Sequence, residues 1–179
     1  APALSAIEAR FKIDRHVLLA IWGIETNYGT TAGAFNILSA LTTLAHADPR
    51  RAAFWRGELI AALRIVEAGD IAPEAMAGSW AGAMGHTQFM PTTYRRHAVD
   101  FDGDGRRDIW SSDADALASA ASYLVASGWK PGAPAGPPPP GGGGGGAPAS
   151  GPPCGFWPPA WTPPKPKPRV RRIDISTRR

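Results

Sequence analysis

Cysteine is almost absent from this chain: one of 179 residues, Cys154, which lies in the last quarter of the sequence. The first 130 residues can therefore form neither a disulfide nor a cysteine-based metal site, and this is compatible with any cellular compartment. Long apolar runs are missing too. None approaches the roughly 20 residues needed to cross a bilayer, so no transmembrane segment is expected. No stretch alternates apolar and polar residues long enough to read as a strand, which leaves an all-α body. A signal peptide is also lacking, and the chain opens on Ala1-Pro2-Ala3 rather than methionine. A processed or excised fragment is the expectation, so the missing signal says little about export.

Acidic residues are scarce in one region only. Residues 1–130 carry 12 Lys and Arg against 14 Asp and Glu, whereas residues 131–179 carry 7 against 1. The net charge of +4 thus belongs to the tail, and it gives no reason to expect nucleic-acid binding by the body. The tail consists of Pro, Gly and Ala with a six-glycine run, then Trp157 and Trp161 among prolines, then a basic end. Such a composition cannot bury enough apolar surface to offset the ordering of its backbone, and disorder is expected over 132–179. The expected division is a folded domain over 1–131 followed by this tail, with the protein acting as a monomer.

The body reads as a succession of short helices. Leu4, Ile7 and Phe11 share a helical face. Asp14 is placed to cap a helix through Val17, Leu18, Leu19 and Ala20, with Gly29 as its expected stop. Asn36 caps a helix with the apolar stripe Ile37, Leu38, Leu41, Leu44 and Ala45. Asp48-Pro49 is expected to open the next, with proline in the first turn where its missing N–H costs nothing; Phe54, Leu59, Ile60, Leu63 and Val66 follow, and Gly69 ends it. One more turn is expected over 73–77. A helix from Pro91 to Ala98 and a last one from about Asp113 to Ala126, capped by Ser111 or Ser112 and stopped by Gly128, complete the body.

Glu25 is the anomaly. It is the only formal charge between Arg15 and Asp48, and its neighbours are Ile21, Trp22, Ile24 and Tyr28. Such a carboxylate is either solvated at the helix end or partly desolvated with a raised pKa. In the second case it can stay protonated near neutral pH and serve as a general acid.

Two further stretches carry chemistry. The run Asp100-Phe101-Asp102-Gly103-Asp104-Gly105-Arg106-Arg107-Asp108 puts carboxylates at positions 1, 3, 5 and 9 of an EF-hand-like loop, with Gly105 at the sharp turn. Arg106 falls at position 7, where a backbone carbonyl is the ligand. Hard oxygen donors in a glycine-bearing turn suit Ca²⁺. Position 12 is Ser111 rather than a bidentate Glu, so Asp115 or Asp113 would have to close a longer loop; the alternative is a solvated Asp-Gly turn. The second stretch, Gly78-Ser79-Trp80-Ala81-Gly82-Ala83-Met84-Gly85-His86-Thr87-Gln88-Phe89-Met90-Pro91, combines glycines with neutral donors on Ser79 and Gln88 beside aromatics, a combination that suits a carbohydrate. Ser79 and His86 do not make a serine-nucleophile pair, because Ser79 is not in a nucleophile-elbow sequence.

The string Ile21–Gly29, the Asp48-Pro49-Arg50-Arg51 turn and the stretch from Gly78 to Trp129 resemble the lytic murein transglycosylase B family, over about residues 4–132. The resemblance implies a lysozyme-like helical domain that cleaves peptidoglycan between N-acetylmuramic acid and N-acetylglucosamine, in the periplasm or bacterial cell envelope. It implies Glu25 as catalytic acid/base, Arg50, Arg51, Ser79, Gln88 and Tyr123 as cleft residues, and the Asp100 loop as a structural Ca²⁺ site, with Asp100, Asp102, Asp104, Arg106 and Asp115 as ligands. Ordinary glycosidases place two carboxylates across the scissile bond. Here only one lies in apolar company, and it suffices if the sugar's own acetamido group and C6 hydroxyl complete the reaction and close a 1,6-anhydro ring. Family sequence before the first helix and after Pro131 has no match, and the tail has the composition that a reading-frame slip in a GC-rich gene yields. Two other readings remain: a calcium-stabilised glycan-binding fragment without turnover, and a muramidase that uses Glu25 and water.

Overall fold

The computed structural model describes residues 2–131; the expectations for residues 132–179 lie outside them. The described residues are mostly helical. Six helices, α1 (Pro2–Phe11), α2 (Arg15–Thr26), α3 (Ile37–Ala47), α4 (Ala52–Glu67), α5 (Pro91–His97) and α6 (Asp113–Ala126), are joined by one two-residue antiparallel pair, β1 (Phe35–Asn36) with β2 (Ala77–Gly78).

The caps follow from side-chain chemistry. Asp14 accepts the N–H of His16 at 2.7 Å, Asn36 that of Ser39 at 3.1 Å, and Ser112 that of Asp115 at 3.2 Å. Two boundaries differ from the sequence expectation. α2 stops at Asn27, not Gly29: Asn27, Tyr28 and Gly29 all take positive φ, at 47°, 58° and 83°. Asparagine tolerates the left-handed region better than most side chains, so the turn begins before the glycine arrives. Asp48-Pro49 does not open α4. Its carboxylate accepts the indole N–H of Trp55 at 3.1 Å, residues 48–51 form a turn closed by the N–H of Arg51 on the carbonyl of Asp48, and the helix starts at Ala52. The expected turn near 73–77 is present over 73–75, but Ala77 and Gly78 pair with Asn36 and Phe35.

Two apolar clusters meet on α6. One contains Ile37, Leu41, Trp55, Ile65, Met76, Met84, Phe89, Tyr94, Ile109 and Ala116; the other joins Ile7, Ile13 and Leu18 to Leu117, Ala118, Ala121 and Leu124. Every residue of α6 from Asp115 to Ala121 is buried. Its alanines and Ser119 are small enough for packing on several sides, with α1, α2 and α5 as neighbours.

The site is fixed in place by backbone contact. A Cβ on Gly78 would lie 2.1 Å from the carbonyl oxygen of Ala83, and one on Gly33 would lie 2.2 Å from the carbonyl oxygen of Gly78. Only glycine admits that approach, which draws the loop after α2 onto the 78–91 stretch. Gly78→Ala should therefore lower stability by about 1–3 kcal/mol, the usual cost of overpacking. Gly57→Ala is the control. Gly57 lies within α4 with open space where a methyl group would stand and no atom within 4 Å of that point, so alanine there should stabilise by about 0.5–1 kcal/mol. Urea melts of the two variants should move in opposite directions, and a Gly78→Ala protein as stable as wild type would show the contact to be slack.

Candidate active site

Glu25 lies in the last turn of α2, half-buried. Burial pushes its carboxyl above the ordinary glutamate range, and among the described residues no hydrogen bond or ion pair opposes the shift. The desolvated alternative of the sequence reading is thus the one the fold adopts. The helix end around it is compact. Tyr28 folds back over Gly23, whose absent Cβ would stand 3.0 Å from the phenol, and its ring meets Trp22 edge-on at 5.6 Å.

The stretch 78–91 packs against this end. It forms a narrow double turn with isolated bridges between Gly78 and Met84 and between Met84 and Phe89. The His86 ring stacks on Trp22 at 5.8 Å between centroids, and the Thr26 hydroxyl reaches the His86 carbonyl at 3.1 Å. Gln88, at φ 50°, donates its amide N–H groups to the carbonyls of Ala32 at 3.1 Å and Gly85 at 2.8 Å. Its donors thus tie the loop after α2 to the stretch, and the amide oxygen is the polar atom left over. Ser79 Oγ accepts the N–H of Ala83 at 3.0 Å, so its own proton stays available for donation.

The arginines follow α3. α3 starts beside Met76 and runs 11 residues, about 16 Å at 1.5 Å per residue, before the turn that carries them. Arg50 is exposed, and Arg51 lies over the rings of Phe54 and Trp55 at 4.7 and 4.6 Å. Tyr123 on α6 is half-buried between Phe89 and His97, with centroids at 5.7 and 5.3 Å.

The acidic loop separates into converging carboxylates and struts. Asp100, Asp102 and Asp115 bring one carboxylate oxygen each within 4.8 Å of one another. Asp104 is exposed, accepts the N–H of Arg106, and is not among the three. Asp108 instead accepts the N–H groups of Trp110 and Ser111; burial pulls its pKa up, but these bonds and the Ser111 hydroxyl outweigh it and the net shift is down. Asp113 turns to His86, 3.4 Å from Nδ1. Asp115 is fully buried, and burial raises its pKa although it accepts N–H groups from Phe101 at 2.8 Å and Asp108 at 2.8 Å. Nothing in the sequence singles out Asp70. It is buried, pairs with Arg107 at 2.5 Å, and so ties the loop to the segment after α4.

Known proteins resemble this arrangement. Residues 1–139 match the family described as Transglycosylase SLT domain. The chain is 41% identical over 122 residues to the membrane-bound lytic murein transglycosylase B of Escherichia coli K12, covering 68% of this chain and 34% of that protein. The crystal structure of SltB3 from Pseudomonas aeruginosa in complex with NAG-anhNAM-pentapeptide matches with TM-score 0.71 and 53% identity, over 74% of this chain and 35% of that one. Escherichia coli Slt35 in complex with calcium matches with TM-score 0.70 and 40% identity, over 73% and 42%. The chain thus spans between about a third and two fifths of the length of these relatives. The desolvated glutamate, the glycine-rich stretch and the acidic loop sit within the matched region, and the chain belongs to the Transglycosylase SLT domain family.

Proposed function

We propose that this chain carries the catalytic body of a peptidoglycan lytic transglycosylase that cleaves the MurNAc–GlcNAc β-1,4 bond and leaves 1,6-anhydromuramic acid ends. The observation that carries the reading is Glu25, an unpaired and partly desolvated carboxyl at a helix end, packed beside a stretch that offers neutral donors. A protonated Glu25 gives its proton to the leaving glycosidic oxygen. The sugar's acetamido group steadies the developing cation. The Glu25 carboxylate then takes the proton of the C6 hydroxyl as that oxygen closes on C1. Proton and charge balance, and no second carboxylate is required. Ser79 and the Gln88 amide oxygen orient the sugar, while Arg50 and Arg51 reach carboxylates of the peptide stem or lactyl group. The crystal structure of SltB3 with NAG-NAM-pentapeptide supports a glycopeptide ligand for such a site. The cell envelope follows as the place of action, with peptidoglycan strands as the partner.

A second reading is glycan binding without turnover, for which the neutral polar groups of Ser79 and Gln88 would suffice. Digestion of purified peptidoglycan followed by mass spectrometry separates the outcomes: anhydro ends for the transglycosylase, reducing ends for a muramidase, no product for a binder. Glu25→Gln should lower the rate by at least the roughly 10²–10⁴-fold of general acid catalysis. A variant retaining most of the wild-type rate would exclude Glu25.

The raised pKa also makes a stability prediction. Because the folded state holds the Glu25 proton to higher pH than the unfolded chain does, stability falls as pH rises from about 4.3 through the folded value. Glu25→Gln should therefore be more stable than wild type at pH 7 and indistinguishable near pH 4. Equal melting curves at both pH values would show the carboxyl to be fully solvated.

The acidic loop fits a hard cation on its donor set: three converging carboxylates, one of them fully buried, would otherwise repel one another. We assign it Ca²⁺, with Asp100, Asp102 and Asp115 as side-chain ligands and Asp104 and the Arg106 carbonyl as further oxygen donors. The ion would anchor the loop and take no part in bond cleavage. Calcium at 100 times its Kd should stabilise the fold by about 2.7 kcal/mol, and EDTA should reverse the gain. Calorimetry showing no calcium-dependent shift in wild type would remove the site, and Asp102→Asn should weaken the shift.

A further inference from the structure

Thr26 and His86 are not accounted for by the chemistry above, yet they meet at the end of the helix that carries Glu25. Thr26 is fully buried, one residue after the acid. Its hydroxyl proton lies between two carbonyls, that of His86 at 3.1 Å and that of Trp22 at 3.3 Å, and its oxygen accepts the N–H of Gly29 at 3.1 Å. The His86 ring adds two contacts. It stacks on Trp22, and its Cε1 and Nε2 lie 2.7 Å from where a Cβ on Gly29 would stand. One residue of the 78–91 stretch thus grips α2 before, at and after its last turn.

The grip answers a mechanical need. The last turn of a helix frays, because its final carbonyls have no intrahelical partners. Here the difficulty is greater. Asn27 and Tyr28, both with side chains, are held at positive φ, and such strain persists only where the surroundings over-determine it. Released, the strained turn would unwind and carry the Glu25 carboxyl into water. We propose that Thr26 and His86 form a clamp that positions Glu25, holding the last turn of α2 closed so that the carboxyl stays desolvated and aimed. They are positioning residues, and the proposal rests on the reading of Glu25 as the acid.

The test follows Glu25 itself in the full chain. With ¹³C-labelled glutamate, the Glu25 carboxyl resonance is assigned by its loss in Glu25→Gln and titrated by NMR in each variant. Wild type should titrate above the ordinary value of about 4.3. Thr26→Val, close in shape but without the hydroxyl, should bring the midpoint down toward that value and speed exchange of the Gly29 N–H by about tenfold or more, the equivalent of about 1.4 kcal/mol. Thr26→Ser should behave as wild type. His86→Ala, which removes the ring but keeps the carbonyl, should lower the midpoint too and decides the matter if Thr26→Val fails to fold. An unmoved midpoint in folded Thr26→Val, or a midpoint in Thr26→Ser displaced as far as in Thr26→Val, would overturn the clamp. A wild-type midpoint already at about 4.3 would instead count against Glu25 as a desolvated acid, and Gly29 exchange would then judge the clamp alone.

Discussion

The approach of backbone to backbone at Gly33, Gly78 and Ala83 is the constraint on which the site depends. Hydrogen bonds there could form in a looser structure, but the juxtaposition of the loop after α2 with the 78–91 stretch could not. Removing two side chains lets the chain segments touch at distances that any methyl group would forbid. Once they touch, the rest follows at short range: Gln88 reaches Ala32, His86 reaches Thr26, and the ring of Trp22 gains a partner. The glycine content of this stretch, which by composition reads as flexibility, here produces a rigid joint between the element that carries the acid and the element that carries neutral donors.

Burial of Glu25 costs stability when the carboxyl is ionised, and among the described residues no ion pair offsets it. That combination sets functional sites apart from ordinary salt-bridged surfaces such as Glu8–Arg15, where the pair lowers the glutamate pKa. The acidic loop shows the opposite arrangement, with most carboxylate oxygens engaged by backbone N–H groups or serine hydroxyls. One acid is left unsatisfied and several are heavily satisfied. The proposed roles divide accordingly, with proton transfer at Glu25 and fixed architecture in the loop.

Much of this is legible in the sequence, for local reasons. Asp14, Asn36 and Ser112 cap helices because a short polar side chain reaches the next free N–H wherever it precedes an apolar run. Glu25 is visible because charge is absent for many residues on both sides. Asp100 and Asp102 are visible because they fall at positions 1 and 3 of an EF-hand-like spacing, whereas Asp115 lies beyond position 12 and enters only as one of two ways to close a longer loop. Less legible is whatever depends on a partner distant in sequence. Asp48 reads as a helix cap from its neighbour Pro49, while the structure engages it with Trp55. Gly29 reads as the stop because glycine is the commonest left-handed residue, yet Asn27 turns first. The β1–β2 pair is two residues long and has no periodicity to detect. Asp70 pairs with Arg107 across 37 positions, and Thr26 meets His86 across 60. Nothing local marks either contact.

The bridging position of α6 has a consequence for synthesis. α1 and α2 have no core of their own: Ile7, Ile13 and Leu18 are buried on Leu117, Ala118, Ala121 and Leu124, about a hundred residues later. A growing chain therefore lacks the apolar partners of Ile7, Ile13 and Leu18 until α6 has been made, whereas α3, α4 and the 78–91 stretch can associate earlier through nearer contacts. Closing so long a loop is an entropic cost met late. The seating of α1 and α2 on their core is then among the last steps in the assembly of the described residues.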